Sequence, residues 1–306
     1  MRRISRRTFL ASSAAAAVVA CSPGRSGGAG AGKAVVAPQV AADGAQPTAP
    51  PPTATPTPIP QGVQERTLLE GTSSETPMII RHSGVRGPAV MILGGVHGNE
   101  PAGWLAGDEV ATWAPVAGSL IVVPRANVRA LNAFVRTFDD IGDLNRLYPG
   151  NPESALLMER MSFAFLETCR EFKVEILLDM HESWAFYAEY PPNSGTGALG
   201  QTITAGLGPK QATIAQEIAA IANPQATARE QFIIRDGTRL SRPDATPPGA
   251  GTPVSQRGRS SLSAGGAVTG LTPILIEMGQ ENQNLDRRIE LHLITARALL
   301  GIEGVL

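Results

Sequence analysis

Two short runs hold most of the side chains that could do chemistry. Gly94-Gly95-Val96-His97-Gly98-Asn99-Glu100 carries a histidine and a glutamate three residues apart, and Asp179-Met180-His181-Glu182-Ser183 carries a second histidine. On a turn entering a helix, His97 and Glu100 can point the same way, and His181 could close the set from a separate strand end. Two imidazoles and one carboxylate are a common catalytic zinc set, with the fourth position left open for water. A bare H-x-x-E spacing arises often by chance, and a lone histidine is more often structural than a ligand. Placement adds the weight: both histidines follow a buried apolar run, in a chain with only four histidines. His82 and His292 lack that setting and read as structural or surface residues.

These side chains need elements to place them. The apolar runs 89–93, 120–123, 174–178, 232–234 and 274–276 read as strands. Helical spacing covers the segment after Pro101 (Trp104, Leu105, Val110, Trp113) and residues 155–172, 211–222 and 284–300. Strands alternating with helices predict an α/β fold, a single domain with a mixed, mostly parallel central sheet flanked by helices. In open sheets of this type ligands bind beyond the carboxyl ends of the strands, where both runs fall. Glu277 ends the last apolar strand, where a carboxylate is costly without a partner unless it reaches solvent at an edge.

Four motifs occur in order: Gly95-Val96-His97-Gly98-Asn99-Glu100, Asp143-Leu144-Asn145-Arg146-Leu147-Tyr148-Pro149-Gly150, Asp179-Met180-His181 and Ile276-Glu277. Together they resemble the succinylglutamate desuccinylase/aspartoacylase branch of the zinc carboxypeptidase superfamily, from about residue 88 to 279. The resemblance implies one zinc ion per chain, bound by His97, Glu100 and His181. It implies Asp143 as the carboxylate that orients a zinc-bound histidine, whose free ring N–H needs an acceptor. The plain alternative for Asp143-Leu144-Asn145-Arg146 is an ordinary polar turn. Asn145 and Arg146 would grip a substrate carboxylate, the guanidinium acting as a planar fork. Arg136, nine residues before Asn145, stands where family members place a carbonyl-polarising arginine, with Arg125 and Arg129 as competitors for that role. Glu277 would be the general base, taking a proton from water that zinc acidifies to a pKa of about 7 and passing it to the leaving amine. Zinc and one arginine would hold the developing oxyanion. Met180 and Tyr148 stand where the family often has Leu and Phe, mild changes at apolar positions. Neither Tyr187 nor Tyr190 has the spacing of the mobile tyrosine of the carboxypeptidase branch, and Trp184 either lines the pocket or packs.

The ends of the chain read differently. Residues 1–20 hold four arginines, the run Ser5-Arg6-Arg7-Thr8-Phe9-Leu10 and a small-residue apolar stretch, an export signal of twin-arginine type. Thr8 to Ala20 is 13 residues, shorter than the ~20 that span a bilayer. Val18-Val19-Ala20-Cys21 looks like a lipobox that would leave Cys21 lipidated at the mature N-terminus; an ordinary cleaved signal with an incidental cysteine is the alternative. From Ser22 to Gly62 there are nine prolines and no aromatic residue, a composition that cannot offset its ordering entropy and so reads as a linker. The expected organisation is a signal at 1–20, lipidated Cys21 plus linker to 62, and a hydrolase domain at 63–306, exported and anchored to a membrane. Cys169, the other cysteine, reads as an inert buried thiol.

A net charge of −1 offers no basic stripe, so nucleic acid is excluded as a partner. Residues 236–270, rich in Gly, Pro and Ser, carry Arg239, Arg242, Arg257 and Arg259, and form either a solvated flap or a basic lid selecting carboxylate-bearing substrates. The partner is a small molecule or peptide with a free carboxylate. Cleavage of the amide bond beside that carboxylate could be N-acyl amino acid deacylation or carboxypeptidase trimming. A tethered, non-catalytic zinc-containing binding protein is the competing class, but it has no need of Glu277 or Arg146.

Overall fold

The computed structural model describes residues 59–190, 197–237 and 259–306. The signal, Cys21 and the linker up to residue 58 lie outside the described residues, as do Arg239, Arg242 and Arg257. Eight strands form one sheet: β1 Gln61–Leu68, β2 Thr76–Ser83, β3 Ala89–Leu93, β4 Ser119–Val123, β5 Val174–Ser183, β6 Thr202–Ala205, β7 Ile233–Asp236 and β8 Thr272–Gly279. Five α-helices accompany them among the described residues: α1 Pro101–Val110, α2 Val128–Ala133, α3 Leu157–Glu171, α4 Gln211–Ala222 and α5 Leu285–Ile302.

The strand order is β1-β2-β4-β3-β5-β8-β6-β7. The central four, β4, β3, β5 and β8, run parallel. Pairings β1–β2, β2–β4 and β6–β8 are antiparallel, and β6–β7 is parallel, so the sheet is mixed around a parallel centre. The two-residue period of the central strands sorts their side chains onto two faces. Val90, Ile92, Ile176 and Ile276 join buried residues of α1, α4 and α5 on one face. Met91, Leu93 and Leu177 pack with Met158, Phe165 and Cys169 of α3 on the other. Both faces are covered, which is why the central strands read as continuous apolar runs.

Three departures from the sequence reading bear on the site. β5 runs on to Ser183, five residues past the apolar run, so His181 lies within a strand rather than beyond one. Asp179, His181 and Ser183 alternate onto one face, and their polarity is what ended the apolar pattern. β1 and β2 carried no expectation; five of the first six residues of β1 are exposed, so no alternation marks it, and the domain's first strand starts at Gln61, two residues ahead of Val63. Trp113 falls beyond the end of α1, its N–H bonded to the Val110 carbonyl in a closing turn. No described helix is long and apolar enough to cross a membrane.

Candidate metal centre

His97 and Glu100 sit on the loop between β3 and α1, at the carboxyl end of the sheet. Gly95 holds a left-handed backbone there (φ 65°), and Gly98 lies so close to α2 that a Cβ would fall 2.1 Å from the Ala130 carbonyl. Only glycine permits that approach, and it presses the ligand-bearing turn onto its neighbour. Glu100 is the residue capping α1, yet its carboxylate makes no cap hydrogen bond. It turns instead toward the histidines: Oε1 is 2.6 Å from His97 Nδ1 and Oε2 is 2.8 Å from His181 Nδ1. The two Nδ1 atoms are 3.1 Å apart. All three side chains are buried, and their ligand atoms lie within 4.8 Å of one another.

A carboxylate stands behind each ring. His97 Nε2 is 3.2 Å from Asp143 Oδ1, the position the resemblance assigned to an orienting carboxylate. His181 Nε2 is 2.9 Å from Asp179 Oδ2, close as an ion pair though outside hydrogen-bond alignment. Two Nδ1 donors and a carboxylate converging on one point, each ring backed by an acid, fit a zinc ion, because ligand histidines place their other ring nitrogen against an acceptor. Burial pushes the Glu100 carboxyl up, but His97 and His181 outweigh it and hold the group well below the usual carboxylate range. Asp143 is likewise depressed against its burial by His97, Arg136 and Arg146. For His181, burial opposes the charged ring, but Asp179 and Glu100 prevail and raise its pKa well above the ordinary histidine value. Proton and metal would therefore compete for the same ring nitrogens and carboxylate.

Glu277 lies on β8 directly opposite His181 in the parallel pairing and is buried. Its Oε2 accepts the Ser183 hydroxyl at 3.1 Å, and burial, assisted by Glu100, lifts its pKa to about 7. Arg136 reaches the same place. Its Nε and Nη2 lie 3.1 and 3.0 Å from Asp143 Oδ2 and its Nη1 lies 3.6 Å from Glu100. Its two competitors are engaged elsewhere: Arg125 pairs with Asp108 over Trp104, and Arg129 pairs with Asp140 over Phe138.

Asp143 caps the 3₁₀ turn Leu144–Arg146 by accepting the Asn145 N–H at 3.0 Å. Asn145 Oδ1 accepts the Ser261 N–H at 3.1 Å, while Arg146 Nη1 donates to the Asn145 carbonyl at 2.7 Å. Arg146 is half-buried, and burial lowers its pKa despite the fields of Asp143, Glu277 and Glu100. Arg259, the one described arginine of the 236–270 segment, pairs its backbone with Tyr148, two residues from Arg146. Trp184 is 62% exposed, which removes the packing alternative for its ring. His82 on β2 pairs with Ser119 of β4, and His292 is fully buried on α5.

Sequence reading gave no role to Asp179, Ser183, Glu182 or Arg288. The alternation Asp-x-His-x-Ser could have placed the first two, had the strand been carried through its polar end. Glu182 and Arg288 were out of reach, because their pairing depends on where α5 docks.

With this geometry in place, comparison with known proteins gives a consistent picture. A family model, succinylglutamate desuccinylase/aspartoacylase catalytic domain, matches residues 86–186, a stretch that holds every candidate group above except Glu277 and the partners contributed by α5 and 261. No curated protein sequence matches the chain. Product-bound cell shape determinant protein Csd4 from Helicobacter pylori is 15% identical with a TM-score of 0.59, over 75% of this chain and 55% of that one. The chain thus spans little more than half of that protein. The product-bound ectoine utilization protein EutE (DoeB) from Ruegeria pomeroyi is 19% identical, TM-score 0.56, over 83% and 73% of the two chains. A succinylglutamate desuccinylase/aspartoacylase from Rhodobacter sphaeroides is 17% identical, TM-score 0.54, over 83% and 69%. These likenesses establish a shared fold: the α/β, carboxypeptidase-like sheet with helices on both faces.

Proposed function

We propose that this chain is a zinc-dependent hydrolase that cleaves an amide bond next to a free carboxylate, outside the cytoplasm. The observation that carries the reading is the convergence of His97, Glu100 and His181 with Glu277 paired in register beside them. The family match over residues 86–186, which carry all three candidate ligands, supports it. One of the neighbouring structures is described as an mDAP-bound D,L-carboxypeptidase, and an exported location also favours peptides over the N-acyl amino acids of intracellular metabolism.

A zinc ion held by the three ligands would polarise the scissile carbonyl and acidify a water to a pKa of about 7. Glu277 takes a proton from the attacking water and passes it to the departing amine nitrogen, a task suited to a carboxyl whose pKa burial has raised to about 7. The Ser183 hydroxyl fixes one oxygen of Glu277 and so limits its rotation. Arg136, anchored on Asp143, stabilises the oxyanion as it forms. Arg146 and Asn145 receive the substrate carboxylate; Arg146 is half-buried beside the same acids and Asn145 is buried next to it. Asp143 and Asp179 keep the two imidazoles oriented.

The test is amine release by the zinc-loaded protein from a panel of N-acyl amino acids and free-carboxylate peptides. Glu277→Gln is expected to keep zinc and lose about 10²–10⁴ in turnover. Full activity in that variant would remove Glu277 from the mechanism, and zinc binding without release from any substrate would favour the binding-protein reading. The preferred panel member separates deacylase from carboxypeptidase.

A further inference from the structure

Glu182 sits beside a ligand yet faces away from it. Successive strand residues alternate, so His181 points into the centre while Glu182 points to the opposite face, where α1 and α5 lie. Its carboxylate is buried and fully engaged. Oε2 accepts the Ala102 N–H at the start of α1 at 2.8 Å, and Oε1 pairs with the Arg288 guanidinium of α5. Its own backbone N–H donates to Glu100 Oε2 at 3.1 Å. Glu100, spent on the histidines, does not cap α1; Glu182 supplies from the strand the acceptor that the helix lacks. One residue on, Gly103 meets β5 with no side chain between them, since a Cβ there would lie 2.5 Å from the Met180 carbonyl oxygen. Helix and strand are thus in backbone contact one residue from His181.

We propose that the Glu182–Arg288 pair is a positioning device for the candidate metal centre: it locks the first turn of α1, and so Glu100, onto the strand that carries His181. A buried ion pair is weak evidence for stability, because apolar replacements are often as stable. What this pair does that an apolar pair could not is accept the orphan Ala102 N–H while being aimed by a third element. The separation between Glu100 and His181 is then set jointly by α1, β5 and α5, rather than by the flexible reach of two side chains. This inference rests on the zinc reading above.

The experiment measures Zn²⁺ affinity by chelator competition and the visible absorption of Co²⁺ in the purified full-length chain, with circular dichroism as the check on folding. Glu182→Ala is expected to weaken Zn²⁺ binding about 10- to 100-fold and to alter the Co²⁺ spectrum. Glu182→Gln, which keeps an acceptor for Ala102, should fall between it and the wild type. Arg288→Met should behave like Glu182→Ala, and Arg288→Lys should recover most of the affinity. If Glu182→Ala does not fold, Glu182→Gln and the two Arg288 variants decide. Folded variants that are less stable but keep wild-type affinity and spectrum would reduce the pair to a structural contact and overturn the proposal. A wild-type chain that binds neither metal would instead overturn the zinc reading, and this inference with it.

Discussion

At the scale of single residues, the centre is governed by acids in different environments. Glu100 and Asp143 are held ionised by the histidines and arginines around them, while Glu277 is held toward its neutral form by burial. The difference has a measurable consequence in the metal-free protein. Glu277 has a folded pKa of about 7 against an ordinary value of 4.5, so between these values the native state binds the extra proton. Its contribution to stability is therefore full below about pH 4.5 and is lost as pH rises through about 7. Glu182, raised to about 6 by burial, acts in the same direction. His292, lowered to about 3 by burial, acts in the opposite direction, so the readable quantity is a difference: in urea unfolding of the metal-free chain across this window, the wild type should lose stability relative to Glu277→Gln as pH rises. Identical slopes in the two proteins would mean Glu277 is ionised throughout. The candidate ligands stood out in the sequence because two local motifs carry the residue types a metal needs, whereas the roles of Asp143 and Glu277 were marked only by the family resemblance. The role of Asp179 is not legible in the sequence, since it depends on a strand whose end the polar residues themselves conceal.

At the scale of elements, glycines decide how closely the site-bearing segments approach. Gly98→Ala would drive a methyl into the α2 backbone at Ala130, where neither side can yield. The expected cost is about 1–3 kcal/mol or more, with a weakened metal turn, read by thermal unfolding and by Zn²⁺ binding. Gly301→Ala is the matched control: it lies on the exposed face near the end of α5, with nothing within 4 Å of the added Cβ. It should be neutral or stabilise by up to about 1 kcal/mol, through lower unfolded-state entropy and better helix propensity. Equal effects at the two positions would defeat the packing argument. Helices α1, α3, α4 and α5 were readable from their period, and α4 to the residue. The six-residue α2 is too short to show one, and the exposed hairpin strand β1 offers no apolar face to read. The fold was therefore legible from the buried centre of the sheet and from the edge strand β7, while β1, β2 and β6 carried no readable pattern.

At the scale of the whole molecule, the sheet places chemistry at its middle and exposed strands at its margins. The candidate ligands and Glu277 come from β5, β8 and the loop after β3, all central and parallel, while Arg136, Asp143, Asn145 and Arg146 reach them from the segment between α2 and α3. Burial pushes the Cys169 thiol up to about 12 within the α3 face of the core, which fits an inert packing residue. Cys21 is the other cysteine, and the proposed export and lipid anchor rest on it and on the arginines before it. Cys21→Ser should move the protein from the membrane fraction to the soluble extracytoplasmic fraction and abolish incorporation of labelled fatty acid. Retention in the membrane with no label in either protein would favour an uncleaved signal as the anchor.

His97 and His181 are 84 positions apart in the chain. A nascent polypeptide that has made only the first of them offers a two-donor fragment with little hold on an ion. On the zinc reading, the full grip would exist only once β3, α1 and β5 have docked, so tight metal binding would follow that docking. If the chain is exported already folded, loading is then a question of geography: the zinc supply on the side of the membrane where folding finishes is the one that fills the enzyme.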